Sequence, residues 1–297
     1  MDAKHSRGDQ AHIRHAGTSQ AKGAGWPRTL YGTAWKEGQT ASLVRRALKA
    51  GFRGFDTANQ RKHYVEADVG LAIEEACLAG EVHREALFIQ TKFTYPAAQD
   101  ARLPYDLGAQ VETQVAQSVA SSLAHLRVDT LDSLLLHGPS QARGLSETDK
   151  RAWRAMEAAT ENGTVRQLGI SNVQASQLAS LLDWAERPPA FVQNRCFAVT
   201  GWDSDVRAVC REAGVTYQGF SLLTANVEVL QHPPVVALAE SLDIDVPALI
   251  FAFARQLGML PLTGTTRAEH MQTQLASERI TLDSALVEDL ERIAAPS

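Results

Sequence analysis

The chain has 297 residues, which is enough for one large domain or two smaller ones, so a string of small modules is not required. Apolar residues make up 44% of the chain and charged residues 21%, a balance that disfavours a disordered or fibrous protein. With 29 basic and 34 acidic residues the net charge is −5, so we expect no nucleic-acid partner.

The cysteines and the apolar runs bear on compartment and membrane attachment. Cys77, Cys196 and Cys210 lie far apart and form no CxxC pair, which disfavours a disulfide framework and a zinc site. This pattern predicts a reducing, cytoplasmic location. The longest apolar run, Val246 to Ala254, is about half the length that a membrane span needs, and the N-terminus lacks an apolar signal core. We therefore expect no membrane association, and no feature indicates an obligate protein partner.

The first 28 residues differ from the rest of the chain. They are rich in charged and small residues and contain almost no large apolar side chain before Trp26. Such a segment buries too little surface to order itself, so residues 1–28 are predicted to be a disordered tail and residues 29–297 the folded domain. A transit peptide is the alternative, because the segment is basic, but it shows no amphipathic apolar stripe.

From Leu30 onward, short apolar runs alternate with longer segments of helical periodicity, which is typical of repeated βα units. The predicted strands are Leu30–Thr33, Gly54–Asp56, Leu87–Lys92, Ser133–His137, Val165–Ser171, Phe191–Gln193, Val215–Phe220 and Leu260–Thr263. The predicted helices are Ala41–Ala50, Val69–Ala79, Val111–Leu126, Lys150–Glu161, Ala175–Ala185, Asp203–Ala213, Val246–Leu257 and Ala285–Ile293. Eight units of about 37 residues each predict an α/β fold, a single-domain (β/α)8 TIM barrel. A doubly wound open sheet is the alternative, but the GxGxxG turn expected after its first strand is missing from the sequence.

Polar residues end three consecutive predicted strands. The segments GFRGFDTA, LFIQTK and LDSLLLH place Asp56, Lys92 and His137 at the C-terminal ends of strands, where barrel chemistry takes place. Taken singly, Asp56 could cap a helix, Lys92 could be a salt-bridged strand end and His137 a core histidine. Together they predict a buried charge pair beside an imidazole, because unpaired charges would be costly to desolvate.

The loop that follows Asp56 supplies two candidate proton donors, Tyr64 and His63. A phenol has an ordinary pKa near 10, and a neighbouring ammonium such as that of Lys92 is expected to lower it towards the working range of a general acid. The alternative for Tyr64 is a partly buried loop aromatic without a chemical role.

Together these motifs resemble the aldo-keto reductase family, over most of the chain from about Gly32. GFRGFDTA resembles the family's G-x-R-x-φ-D-S/T-A signature, and GTVRQLGISN resembles its G-x-I/V-R-x-I/L-G-V/I-S-N. The resemblance implies NAD(P)H-dependent reduction of aldehydes or ketones, with the cofactor bound without a Rossmann domain. The catalytic residues that it implies are Asp56, Tyr64, Lys92 and His137.

The resemblance also implies a cofactor site. Ser171, Asn172 and Gln193 match residues that hydrogen-bond the nicotinamide carboxamide, Phe220 matches the aromatic stacked on its ring, and Ser221 would face the pyrophosphate. The full predicted cofactor set is Gly32, Thr33, Ser171, Asn172, Gln193, Phe220, Ser221, Leu223, Gly264, Thr265, Thr266, Arg267, His270 and Gln274. The alternatives are a helix N-cap for Ser171 and Asn172, a barrel-layer aromatic for Phe220 and a solvated strand end for Gln193.

The position of the tyrosine departs from the family pattern. The family tyrosine comes five residues after the aspartate, whereas position 61 is Arg and Tyr64 comes eight residues after Asp56, in a longer loop. Alignment on Glu66 and Gly70 would instead put His63 in the tyrosine position. We choose Tyr64, because a loop can absorb one residue and only a phenol has the chemistry of the family mechanism.

A second departure lies after the last strand. Gly264 and His270 replace the Lys and Arg with which many members hold the 2′-phosphate of NADPH. Thr265, Thr266 and Arg267 stand at a helix start, where free N–H groups favour an anion, although a capped surface helix would look the same. NADPH is therefore the expected cofactor, with NADH as the alternative.

The substrate class is indicated only by aromatic residues near the predicted rim. Trp35, Phe93 and Tyr95, together with His63, predict a site for small apolar or aromatic carbonyl compounds. The alternative for each of the three aromatic residues is a packing role. One alternative is a catalytically impaired nicotinamide-binding subunit, which the displaced tyrosine suggests, and another is a non-redox lyase on the same barrel. No metal is expected, because the HxxE formed by His63 and Glu66 has no further ligands of the usual spacing.

Overall fold

Eight parallel strands close into a barrel in the computed structural model of the chain, which describes residues 25–293. Each strand pairs with the next along the sequence, and β8 pairs with β1. The strands are β1 (Leu30–Gly32), β2 (Gly54–Asp56), β3 (Phe88–Phe93), β4 (Leu131–Leu136), β5 (Val165–Ser171), β6 (Phe191–Arg195), β7 (Thr216–Phe220) and β8 (Leu260–Thr263). The predicted (β/α)8 barrel is confirmed, and the eight predicted strands end within two residues of the observed ones.

Helices surround the barrel. They are α1 (Thr40–Ala50), α2 (Glu66–Leu78), α3 (Val111–Leu126), α4 (Glu147–Glu161), α5 (Ala175–Trp184), α6 (Ser204–Ala213), α7 (Val227–Leu230), α8 (Pro233–Ser241), α9 (Val246–Gln256), α10 (Ala268–Ala276) and α11 (Ser284–Ile293). The sequence predicted a helix start at Thr265 to Arg267, where α10 begins, but not the extent of α10, and it did not predict α7 and α8. Each has at most nine residues, and α8 begins with two prolines, so the apolar periodicity in each is too short to distinguish a helix from a loop.

Local sequence explains where several helices begin, end and pack. Ser146 caps α4 through a capping box with Asp149, and α1 ends at Gly51, whose φ of 118° places it in the left-handed region. Gly70 lets α2 approach α3 closely, since a Cβ there would lie 2.2 Å from the carbonyl oxygen of His125. These caps and contacts fix the helices α1 to α4, which pack around the strands near whose C-terminal ends Asp56, Lys92 and His137 lie.

The barrel interior is apolar at its N-terminal end. Leu30, Phe88, Phe191 and Leu260 are the first residues of four strands and belong to one buried cluster. Trp26 packs on Phe191 with a ring-centroid distance of 4.5 Å. The polar residues of the interior therefore lie towards the C-terminal ends of the strands.

Most of the predicted tail, residues 1–24, lies outside the described residues, so its disorder and the proposed boundary at residue 29 stay predictions. Its last four residues are described, and they include Trp26 in the contact above. Within residues 25–293, no helix is long and apolar enough to cross a membrane. The same residues contain no cluster of three His, Cys, Asp or Glu placed to hold a metal ion.

Candidate active site

A cavity of about 660 Å³ opens at the C-terminal ends of the strands. The predicted residues that line it are Gly32, Trp35, Asp56, His63, Tyr64, His137, Ser171, Asn172, Gln193, Phe220, Ser221, Leu223, Gly264, Thr265, His270 and Gln274. The predicted residues that do not line it are Thr33, Lys92, Phe93, Tyr95, Thr266 and Arg267. The barrel thus brings together residues from distant parts of the sequence, as strand-end positions are expected to do.

Lys92 and Asp56 form a buried ion pair beneath the cavity. The Nζ of Lys92 lies 2.7 Å from both carboxylate oxygens of Asp56 and donates a third bond to the carbonyl oxygen of Thr57 at 2.8 Å. Lys92 is 1% exposed and Asp56 3%. Burial lowers the pKa of Lys92, while the charge of Asp56 and the hydrogen bond to it act in the opposite direction.

The ring of Tyr64 lies against this pair. Its centroid is 5.4 Å from the Nζ of Lys92 and 6.2 Å from the centroid of the His137 ring. The loop folds into a turn at Gln60. The backbone N–H groups of His63 and Tyr64 both donate to the carbonyl oxygen of Gln60. The longer loop thus brings the phenol of Tyr64 to the strand-end residues despite its displacement in the sequence.

The expected lowering of the Tyr64 pKa by Lys92 is wrong for this structure. Burial raises the pKa of Tyr64 above its ordinary value, and the negative charge of Asp56 adds to the increase. Burial is the largest cause, and the nearby ammonium of Lys92 is paired with the carboxylate of Asp56 at 2.7 Å, so Lys92 does not offset the increase. Tyr64 is therefore a protonated phenol at neutral pH, the form in which a group can donate a proton.

His63 occupies a different part of the cavity wall. Its ring stacks on Trp35 with a centroid distance of 3.7 Å, and its carbonyl oxygen accepts from the backbone N–H of Trp35 at 2.8 Å. Its Nδ1 is buried and has no hydrogen-bond partner among the residues described. Burial lowers the pKa of His63, with the charge of Lys62 adding to the effect.

His137 is held by the hydroxyl of Thr94, a residue that no sequence motif marked. The Oγ1 of Thr94 lies 2.6 Å from the Nδ1 of His137, and within residues 25–293 that hydroxyl has no other hydrogen-bond partner. Burial, with the charge of Lys92 as the next cause, lowers the pKa of His137 to about 3, so the imidazole is neutral. Donation from Thr94 to Nδ1 is the arrangement that leaves no buried O–H without an acceptor among residues 25–293, so we assign Nδ1 of His137 as the acceptor and place the hydrogen on Nε2.

We expect His137 to stay neutral, with its hydrogen on Nε2, between about pH 5 and pH 8, because its pKa lies well below this range. Nitrogen-15 NMR of histidine-labelled protein measures this tautomer directly. Thr94→Val should release Nδ1 and mix the two tautomers, whereas Thr94→Ser should preserve the original one. Unchanged His137 shifts in a folded Thr94→Val protein would contradict the assignment.

The polar residues at the ends of β5 and β6 are linked to each other. Ser171 Oγ donates to the carbonyl oxygen of Gln193 at 2.6 Å, and Asn172 Nδ2 donates to the carbonyl oxygen of His137 at 2.8 Å. Asn172 has a φ of 53° and Ser221 one of 58°, and such strained conformations cluster at functional sites. The helix-cap alternative for Ser171 and Asn172 is wrong, since the N-cap of α5 is Gln174.

The segment after β8 is only partly in the cavity wall. Gly264, Thr265 and His270 line the cavity, but Arg267 points to Glu269, with 2.9 Å between Nη2 and the carboxylate. Arg267 is also the N-cap residue of α10. The predicted anion fork of Arg267 is therefore directed away from the cavity in this structure.

Two cations in the cavity wall were missed. Lys36 follows the first strand and donates to the carbonyl oxygen of Gly264, and burial lowers its pKa. Arg195 is the last residue of β6, and its guanidinium carbon lies 5.6 Å from the centroid of the Phe220 ring. The strand-end rule would have found Arg195, but β6 was predicted to end at Gln193.

Two of the predicted substrate residues are misplaced. Phe93 is fully buried and packs its ring on Tyr95 and Tyr105, at centroid distances of 5.3 and 5.7 Å. Tyr95 donates its hydroxyl to Asp149 at 2.9 Å. Neighbouring residues of a strand face opposite sides, so Phe93 faces the helices when Lys92 faces the barrel interior. By contrast, Trp35 is 67% exposed in the cavity wall.

Comparison with known proteins gives a consistent picture. A sequence model described as "Aldo/keto reductase family" matches residues 16–295. Glyoxal reductase of Bacillus subtilis is 29% identical over 224 residues, covering 75% of this chain and 72% of that protein. The NAD/NADP-dependent indole-3-acetaldehyde reductase of Schizosaccharomyces pombe is 27% identical over 252 residues, covering 83% and 81%. The crystal structure of a Bombyx mori aldo-keto reductase in complex with NADP has a similar fold, with a TM-score of 0.75, 21% identity and coverage of 90% and 88%.

Proposed function

The chain belongs to the aldo/keto reductase family of NAD(P)H-dependent oxidoreductases, and we propose that it reduces small aldehydes or ketones with NADPH. The observation that carries this proposal is the convergence of the Tyr64 ring, the Lys92–Asp56 pair and His137 at one cavity. The relatives named for glyoxal and for indole-3-acetaldehyde support a small aldehyde as substrate, and the Bombyx mori complex supports NADP(H) as cofactor.

The residues present fit a nicotinamide cofactor. Strained Asn172 and Ser221 line the cavity, and so does Phe220 at the end of β7, an aromatic residue of the kind that stacks on a planar group. Lys36, Thr265 and His270 are proposed to hold phosphate groups, because Lys36 supplies a positive charge inside the wall. The preference for NADPH through Thr265, Thr266 and Arg267 stays a prediction, and it would require Arg267 to leave Glu269.

We propose that Tyr64 is the general acid. A bound NADPH would supply the hydride that adds to the carbonyl carbon. As negative charge grows on the carbonyl oxygen, Tyr64 gives it a proton, and the Nε2–H of His137 donates a second hydrogen bond. The negative charge left on Tyr64 would be stabilised by the ammonium of Lys92, which Asp56 holds 5.4 Å from the centroid of the Tyr64 ring.

The two alternatives from the sequence receive less support from this geometry. The impaired-subunit alternative depended on the displaced tyrosine, but the Tyr64 ring lies beside both Lys92 and His137. The lyase alternative needs no cofactor site, whereas Asn172, Gln193 and Phe220 all line the cavity. The cytoplasmic location stays a prediction, consistent with three free cysteines.

The proposal is tested by measuring the consumption of NADPH in the presence of a simple aromatic aldehyde. NADH is compared under the same conditions. We expect aldehyde-dependent oxidation of the cofactor, faster with NADPH. Tight NADPH binding without turnover of any aldehyde in a broad panel would favour the impaired subunit. Product formed without loss of NADPH absorbance would favour the lyase.

A further inference from the structure

Three glutamines from different strands meet inside the barrel, directly below the cavity. Gln90 lies on β3, Gln193 on β6 and Gln218 on β7, and they surround the carboxylate of Asp56 on β2. Their exposed fractions are 0%, 3% and 0%, and that of Asp56 is 3%. The family resemblance accounts for Gln193 but assigns nothing to Gln90 or Gln218. Buried amides require hydrogen-bond partners, so the partners of these three side chains indicate how each amide is oriented.

The carboxylate of Asp56 determines which way two of these amides point. Asp56 is paired with the ammonium of Lys92 and therefore acts only as an acceptor. The groups facing it must be N–H donors, and Gln90 Nε2 lies 2.7 Å and Gln193 Nε2 2.9 Å from its Oδ1. The orientation of each amide thus follows from the charge of Asp56.

Gln218 completes the network. Gln90 Nε2 donates to Gln218 Oε1 at 2.8 Å, and Gln218 Nε2 donates back to Gln90 Oε1 at 3.0 Å. The same Gln218 Oε1 accepts the second N–H of Gln193 at 3.0 Å. If the amide of Gln218 were turned over, its N–H groups would face the N–H groups of Gln193 and Gln90, and donors would then oppose donors. Each amide therefore holds the next in a single orientation.

The consequence appears at the cavity. Both N–H groups of Gln193 are engaged below it, whereas its Oε1 accepts no hydrogen bond from any residue within 25–293. Gln193 is also part of the cavity wall. At this point the wall therefore presents an acceptor and no amide donor.

We propose that Gln90 and Gln218 are positioning residues that lock the amide of Gln193 with its carbonyl oxygen towards the cavity. The locked oxygen selects a ligand group that donates an N–H, as the carboxamide of nicotinamide does. This inference rests on the proposed function, because it concerns how the same site recognises its cofactor. A ligand with only an acceptor at that position leaves two acceptors facing each other, and buried polar mismatches of this kind are discriminated strongly.

The test compares NADP⁺ with its 3-acetylpyridine analogue, in which an acetyl group replaces the carboxamide and removes its N–H donors. Binding of each is measured by quenching of tryptophan fluorescence. We expect the wild type to bind NADP⁺ about 10-fold more tightly or better. Gln218→Met removes one of the two acceptors that hold Nε2 of Gln193, so turning the amide over to bring Nε2 to the acetyl oxygen becomes less costly, and the ratio should fall to about threefold or less.

Leu260→Met is the matched control. Leu260 pairs with Gln218 across β7 and β8 but contributes no polar atom, so this variant should keep the wild-type ratio. Two results would overturn the proposed lock on Gln193. One is equal binding of the two nucleotides by the wild type, and the other is a folded Gln218→Met protein that keeps the wild-type ratio of the two affinities. Failure of both nucleotides to bind would overturn the proposed function, and the lock with it.

Discussion

Replacing Tyr64 with Phe is expected to lower kcat for aldehyde reduction by about 10²–10⁴-fold, the usual contribution of a general acid. The ring remains, so its contacts with Lys92 and His137 should survive, and only the transferable proton is lost. The NADPH affinity should change by less than about threefold, because the hydroxyl of Tyr64 has no proposed role in cofactor binding. Steady-state kinetics together with fluorescence titration of NADPH separate the two effects.

His63→Ala is the companion variant, since His63 is the rival for the tyrosine position. It removes a ring that stacks on Trp35 and whose Nδ1 has no partner within residues 25–293, so we expect a loss of at most about 10-fold, mainly in KM. The result that would refute our choice is the reverse pattern. Full activity in Tyr64→Phe with lost activity in His63→Ala would make His63 the functional group.

Lys92→Met should both abolish activity and destabilise the fold by about 3–5 kcal/mol, because it leaves the buried carboxylate of Asp56 without its counter-ion. Urea unfolding measures the loss. Replacing both members of the pair, as Lys92→Met with Asp56→Asn, should recover much of this stability, since neither position then carries an unpaired buried charge. The double variant should stay inactive, because nothing then supports the phenolate of Tyr64.

Lys150→Met provides the surface control for this experiment. Lys150 is partly exposed and pairs at 2.8 Å with Glu147, an exposed residue of α4, and such surface pairs contribute about 1 kcal/mol or less. We therefore expect nearly wild-type stability and activity. Additive losses in the Lys92–Asp56 double variant would show that the two charges do not stabilise each other.

The fold and the strand-end residues could be predicted because both depend on regular local patterns. Apolar runs and helical spacing recur along the chain, and a closed parallel barrel then places every strand end on one rim. This rule alone is enough to place Asp56, Lys92 and His137 together on that rim. The same alternation along a strand could also have excluded Phe93 from the cavity, because Phe93 follows inward-facing Lys92.

The loops could not be predicted in the same way. The turn closed by the carbonyl oxygen of Gln60 decides where Tyr64 points, and such a turn has no periodic signal. The ion pair of Arg267 with Glu269 and the inward position of Lys36 likewise depend on loop paths between distant segments.

The sequence by itself determined the barrel, its strand-end acid, base and imidazole, and the resemblance that made a reductase the first hypothesis. Only the tertiary structure decided that Lys92 is paired with Asp56 and that burial raises the pKa of Tyr64. It also decided the partner of His137 and the orientation of the Gln193 amide. The physical reason is that protonation states and amide orientations depend on neighbours within about 3 Å. In this barrel those neighbours come from strands far apart in the sequence.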